Sequence, residues 1–244
     1  AAASFRTCLK EEYGFYCIPD LNQKQGICFE NIYHPLIKNA VTNSMEKEKN
    51  ILLSGSNASG KSTFLKTVAI NAILSQTIYT ATARSYAMPY TMVCSSMALK
   101  DDLSSNDSYY MAEIKALKRI MDKTGGNRTV LCFIDEVLRG TNTIERIAAS
   151  SEILKYFRQS NVICFAATHD IELTYILEGC YANYHFEEEV SGDDVKFNYR
   201  LNRGRTVTRN AIRLLKLLGY PGNLVDNAED RVSEFTKTGK WKNS

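Results

Sequence analysis

The segment Gly55-Ser56-Asn57-Ala58-Ser59-Gly60-Lys61-Ser62 has the residue types and spacing to hold phosphate. Its two glycines let the backbone curl so that successive N–H groups point inward, and a helix starting at its end would add partial positive charge. Lys61 would reach the outer phosphates of a nucleoside triphosphate, and Ser62 would offer its hydroxyl to Mg²⁺, which prefers oxygen ligands. Every fixed position of G-x-x-x-x-G-K-[ST] is filled, and Thr63 follows directly.

Such a site needs a carboxylate for the metal and a group that orients or deprotonates water. Asp135-Glu136 supplies both, at the end of the apolar run Val130 to Ile134. Asp135 would bind Mg²⁺ through water and Glu136 would act as general base. The alternative is that the pair is the acidic first turn of a helix. Ala167-Thr168-His169-Asp170 ends a second apolar run in the same way, so His169 would face the same cleft and polarise or sense a terminal phosphate. His34 and His185 lack such a setting and read as structural.

These residues must be carried by strands and helices in alternation. Lys49 to Ser54 reads as a buried strand and Thr63 to Tyr79 as a helix. A strand follows over Thr91 to Met97, then a helix over Ser108 to Asp122, a turn at Gly125-Gly126-Asn127 and a buried strand over Thr129 to Ile134. Thr143 to Ser160 is helical, Asn161 to Ala167 is a strand, and Ile171 to Leu177 begins another helix. This βαβα order implies an α/β fold with a mostly parallel central sheet between helices. Tyr181 to Glu188 and Val195 to Leu201, around Ser191-Gly192-Asp193-Asp194, read as an antiparallel hairpin. Helices over Val207 to Leu218 and Asn223 to Phe235, split by Gly219-Tyr220-Pro221-Gly222, form a terminal helix-turn-helix. The stretch up to about Asn50 reads as short strands and loops.

With 244 residues, 44% hydrophobic and 23% charged, the chain is a folded domain rather than a disordered or collagenous one. Thirty Lys+Arg against 27 Asp+Glu leave +3, too little to announce a nucleic-acid binder from charge alone. Seven cysteines without a CxxC pair or clustered histidines suggest neither zinc nor a disulfide framework, and fit reduced thiols in the cytoplasm. No apolar run reaches the roughly 18 residues of a membrane span, so no membrane contact is expected from this fragment. Residue 1 is Ala, and the chain reads as a piece of a longer protein.

The order of phosphate loop, strand ending in Asp-Glu and strand ending in Thr-His is that of ABC-type P-loop NTPases. Gly55 to Thr63, Asp101-Asp102-Leu103-Ser104-Ser105, Asp135-Glu136-Val137-Leu138-Arg139-Gly140-Thr141-Asn142-Thr143, Ala167-Thr168-His169 and the Gly219-Tyr220-Pro221 turn together resemble the ATPase domain of the MutS family of DNA mismatch repair proteins. The resemblance runs from about Cys28 to about Glu234. It implies ATP and Mg²⁺ as cofactors, slow ATP hydrolysis in isolation, and a domain over residues 26–244 that follows a lead-in, 1–25, from a preceding core or clamp domain. It also implies a homodimer through this domain, with Ser108 acting in trans on the partner's ATP; as an N-cap, Ser108 could equally be structural. Arg139-Gly140-Thr141 would lie at the dimer seam. DNA would be held by domains outside this chain, with a downstream repair protein as a further partner.

Several positions depart from the family pattern. Asn106-Asp107 stands where Gly-Arg is usual, Tyr109-Tyr110 where Thr-Phe is usual, and Leu138 where a Gly is usual. Ala40-Val41-Thr42-Asn43 aligns with the segment that stacks an aromatic on adenine yet has none, so base contact falls to Val41, Asn43 and the backbone. Lys196 to Lys216 carries seven basic and no acidic residues, either a DNA-phosphate track or a solvated face, the latter favoured by the balanced charge. A second function class is a MutS-like scaffold or membrane-associated protein without mismatch recognition. A transporter-type ABC subunit is disfavoured by the missing Leu-Ser-Gly-Gly-Gln signature.

Overall fold

Three strands with almost no exposed side chain set the architecture of this computed structural model, which describes residues 1–56, 59–97, 109–138, 141–159, 161–191, 194–206 and 211–241. Expectations placed on Asn57, Ala58, Asp101 to Ser108, Arg139, Gly140, Gly192 and Asp193 lie outside the described residues. The elements run α1 (Ala2–Tyr13), β1 (Ile27–Ile32), β2 (Asn43–Glu48), β3 (Asn50–Ser54), α2 (Lys61–Ile78), β4 (Ser85–Ala87), β5 (Met92–Ser96) and α3 (Tyr109–Thr124). They continue with β6 (Val130–Asp135), α4 (Thr143–Tyr156), β7 (Val162–Ala167), α5 (Ile171–Ile176), β8 (Ala182–Ser191), β9 (Asp194–Arg203), α6 (Ala211–Leu217) and α7 (Gly222–Thr238).

The large sheet has the order β5-β6-β7-β3-β8-β9, parallel from β5 through β8. β8 and β9 are neighbours joined by two residues, a connection that only an antiparallel pair allows. β3, β6 and β7 are buried on both faces, which is why they read as continuous apolar runs. Alternation along β6 sends Leu131 and Phe133 to one face, in a cluster with Phe64, Leu65 and Val68 of α2. Val130, Cys132 and Ile134 face the other way, against Leu117 and Ile120 of α3, Leu154 of α4 and Leu173 of α5. One helix therefore covers one face and three cover the other.

A second, antiparallel sheet of order β2-β1-β4 lies on the α2 side. Phe64 joins the two sheets, its ring 6.1 Å from Phe29 of β1 and 5.7 Å from Phe186 of β8. The first fifty residues differ from the expected strands and loops, because α1 is a helix closed by Gly14 in the left-handed region (φ 81°). Only Leu9 of α1 is buried, so the helix leaves little apolar periodicity to read. Arg6 of α1 donates to the carbonyls of Ile78 and Tyr79 at 2.8 and 3.0 Å, capping the end of α2. Single bridges pair Cys17 with Ala81, Asp20 with Ala87 and Asn22 with Pro89.

The chain divides into two units. The first comprises residues 1–187 and 198–206, holding α1 to α5, the small sheet and the large sheet except the end of β8 and the start of β9. The second comprises residues 188–197 and 207–244, with α6 and α7 separated by a turn at Gly219 (φ 76°).

Candidate functional site

β3 delivers Gly55 to the carboxyl edge of the sheet, where open α/β folds place their ligands. Gly55 has φ 138°, and a Cβ there would stand 2.8 Å from the Phe186 carbonyl oxygen of β8, so only glycine fits. Gly60 caps the start of α2 with φ 111°. Lys61, 4% exposed, turns its Nζ back to donate to the carbonyls of Gly55 and Ser56, both at 2.7 Å. The Ser59 hydroxyl is buried and has no hydrogen-bond partner among the described residues. A cavity of about 700 Å³ opens over this loop, lined among others by Ser56, Gly60, Lys61, Ser62, Thr63 and Glu136.

β6 and β7 bring the acidic pair and the histidine to the same edge, Asp135 lying opposite Ala167 in register. Glu136 adopts φ 61° and donates its N–H to the Ala167 carbonyl at 3.1 Å. His169 places Nδ1 3.1 Å from the Gly55 carbonyl oxygen and contacts the Glu136 carboxylate through Nε2. The carbonyl oxygen can only accept, so Nδ1 is the donor in that bond, and Nε2 is the ring atom turned to the Glu136 carboxylate. Arg146 of α4 holds Asp170, next to His169, through two bonds of 2.8 and 2.6 Å. The hydrogen bond to Asp170 raises the Arg146 pKa, and the negative charge of Glu136 adds to it. Of the expected residues, Gly55, Ser56, Gly60, Lys61, Ser62, Thr63, Asp135, Glu136 and His169 gather at one edge; Asn57, Ala58 and Ser108 are not described.

Among the described residues the buried Asp135 Oδ1 has no hydrogen-bond partner, an acceptor suited to a hydrated cation. The available donors, the Ser62 hydroxyl and this carboxylate, are hard oxygen groups that fit Mg²⁺. Among the described residues no group of three or more His, Cys, Asp or Glu could hold a metal by itself. A cation here would thus need ligands from a phosphate and water.

Val41 and Asn43 line the far end of the cavity together with His34, Tyr33 and Tyr199. Asn43 uses its amide on β9: Nδ2 donates to the Tyr199 carbonyl at 3.1 Å, and Oδ1 accepts the Leu201 N–H at 2.7 Å. Tyr199, with φ 53°, brings its Cδ1 to 3.2 Å from where a Gly60 Cβ would be. The Tyr199 ring therefore lines the cavity beside the Ala40 to Asn43 segment, which has no aromatic residue of its own. The sequence gives no local sign of it, since Asn43 and Tyr199 are 156 positions apart. His34, read as structural, lines the cavity too, and burial lowers its pKa. His185 is buried between the Gly204 carbonyl at 3.0 Å and Glu187 at 2.8 Å.

In the basic stretch, Arg203 pairs with Glu46 and Glu48 at 3.1 Å each. Arg205 pairs with Glu178 at 2.8 Å and lies over the Tyr175 ring. Both cations thus have carboxylate partners within the fold. Among the described residues no helix is long and apolar enough to cross a membrane.

A buried strand, a glycine-rich turn and a helix opening on a buried lysine, set in a mostly parallel α/β sheet, define the phosphate-loop class. The model of MutS domain V matches residues 51–236, and the chain belongs to the MutS family. It is 27% identical over 226 residues to the DNA mismatch repair protein MutS of Natronomonas pharaonis, covering 88% of this chain and 26% of that protein. The protein of the same name from Rickettsia africae is 32% identical over 204 residues, covering 81% of this chain and 23% of its own length. The chain spans about a quarter of the length of these relatives.

Proposed function

We propose that this chain is the Mg-ATP-binding and hydrolysing domain of a MutS-like mismatch repair protein, in which ATP turnover in a homodimer drives switching of a DNA clamp. The observation that carries the reading is the meeting of Lys61 and His169 on the Gly55 carbonyl, with Glu136 against His169 and both Lys61 and Glu136 lining one cavity. Backbone N–H groups of Gly55 to Thr63 hold the phosphates, with Lys61 exchanging its loop carbonyls for phosphate oxygens. Ser62 and Asp135 hold Mg²⁺, which when bound neutralises charge on the transferred phosphoryl group. Glu136 takes a proton from the attacking water, and His169 fixes its carboxylate against the loop. Val41 and Tyr199 flank the base, with Asn43 holding β9. Ser108 serves the partner's nucleotide. Residues 1–25 lead in from a preceding domain and 26–244 form the ATPase domain, while DNA is handled by the rest of the protein.

The test is nucleotide binding and phosphate release by wild type and Glu136→Gln. Binding is retained and turnover falls by about 10² or more in the variant; unchanged turnover removes Glu136 as the base. For the full-length protein, heteroduplex and homoduplex DNA are compared with and without ATP, and equal binding to both contradicts mismatch recognition.

A further inference from the structure

Glu113 lies in the second turn of α3 and is 2% exposed, yet it is a carboxylate. Its Oε1 accepts the backbone N–H of Leu138 at 2.5 Å, across 25 positions of sequence. Burying a carboxylate strips it of water and is tolerated where hydrogen bonds replace that water. What Glu113 holds is an unusual backbone. Leu138 has φ 60° and Glu136 φ 61°, both in the left-handed region that side-chain-bearing residues rarely adopt, so neighbouring contacts must impose it. The exit of β6 is thus gripped twice: from α3 through Glu113, and from α4 through the Ser150 hydroxyl, which donates to the Val137 carbonyl at 3.3 Å. Glu136 lies between β6 and these two grips, and its carboxylate meets His169, which touches the phosphate loop.

We infer that Glu113 is a positioning residue for Glu136, so that hydrolysis depends on it while nucleotide binding does not; this rests on the reading of Glu136 as the base. A continuous path joins α3 to the loop, through Glu113, the Leu138 N–H, Glu136, His169 and Gly55. Displacement of α3 moves the Leu138 amide and with it the carboxylate two residues earlier. The two ends of the phosphate loop, Gly55 and Gly60, adjoin β3 and α2, so the loop has anchors of its own besides that path.

The experiment uses the 244-residue chain and MgATP, with affinity measured by calorimetry, turnover by phosphate release and folding by thermal unfolding. Glu113→Met keeps the volume and loses the acceptor. Its turnover falls by at least about ten-fold, because small misplacements of a catalytic group cost this much or more, while Kd stays within about two-fold. Glu113→Gln retains an acceptor oxygen and restores turnover to within about three-fold of wild type. Should Glu113→Met not fold, Glu113→Asp, whose shorter arm draws the acceptor away from Leu138, gives the same split between turnover and Kd. Turnover lost in Glu136→Gln but kept in Glu113→Met overturns this inference alone, as does a Kd that weakens in step with turnover. Unchanged turnover in Glu136→Gln overturns the inference together with the reading beneath it.

Discussion

Nδ1 of His169 stands 3.1 Å from the carbonyl oxygen of Gly55, so the histidine after β7 touches the residue that opens the loop after β3. These strands are parallel neighbours in register, Leu53 opposite Ala167. Their carboxyl ends therefore emerge side by side, and residues 114 positions apart meet without any long side chain reaching across. The Thr168 N–H, donated to the Leu53 carbonyl at 2.9 Å, extends the pairing by one residue and fixes where His169 leaves the sheet.

That close approach makes Gly55 the least replaceable glycine of the loop. Gly55→Ala would set a Cβ 2.8 Å from the Phe186 carbonyl oxygen, at φ 138°. We expect a loss of about 2–4 kcal/mol of stability together with loss of nucleotide binding. Gly14→Ala, where φ is 81° but no heavy atom lies within 4 Å, loses about 1 kcal/mol and binds nucleotide normally. Thermal unfolding and calorimetry on both variants check the contrast; equal losses would show that the β8 carbonyl is not a constraint.

Tyr199 supplies the aromatic face that the Ala40 to Asn43 segment lacks. Tyr199→Ala weakens ATP binding by about ten-fold, the scale of one base–aromatic stack. Inorganic triphosphate, which has no base, is bound equally well by wild type and variant. Asn43→Ala follows the same pattern with a smaller effect, because it frees β9 rather than removing the ring. Equal weakening for ATP and triphosphate would place Tyr199 away from the base.

Alkaline pH tests the packing of the N-terminal segment and of β8. Burial raises the Cys17 thiol from 9.0 to about 11, and burial raises the Tyr184 hydroxyl from 10.0 to about 12. Below pH 9 both groups keep their protons folded or unfolded, so stability is full there. Between pH 9 and 11 the unfolded chain gives up the Cys17 proton while the folded chain keeps it, and stability falls as pH rises. Tyr184 adds its loss from pH 10 upward. A thermal midpoint flat up to about pH 9 and declining above it is expected, with Cys17→Ser making the decline shallower without abolishing it, because the hydrogen bond with Cys164 and burial also hold up the Cys132 thiol. A midpoint that rises above pH 9 would contradict this sign.

The helix and strand order from β3 to α7, apart from the three-residue β4, was legible because each buried strand is an unbroken apolar run bounded by turn residues, as in Val130 to Ile134 and Val162 to Ala167. Gly55, Lys61, Glu136 and His169 were legible for a related reason. Each follows directly from the end of such a strand or opens the helix after it, so local position fixes the edge they occupy. Three features were not. α1 buries a single residue and has no apolar stripe to reveal it. The small sheet is short and half exposed, with β2 burying only Met45. Tyr199 reaches the cavity through the pairing of β9 with the sheet and the Asn43 clasp, both long-range relationships that no window of sequence contains.

The central claim is that the loop from Gly55 to Ser62 binds a nucleoside triphosphate through Lys61. Calorimetric titration of MgATP into the wild-type chain and into Lys61→Ala tests it most directly. Saturable binding with one site per chain in the wild type, and none in Lys61→Ala while its thermal midpoint is preserved, is the predicted result. Absence of binding in the wild type, or the same affinity in both proteins, would contradict it.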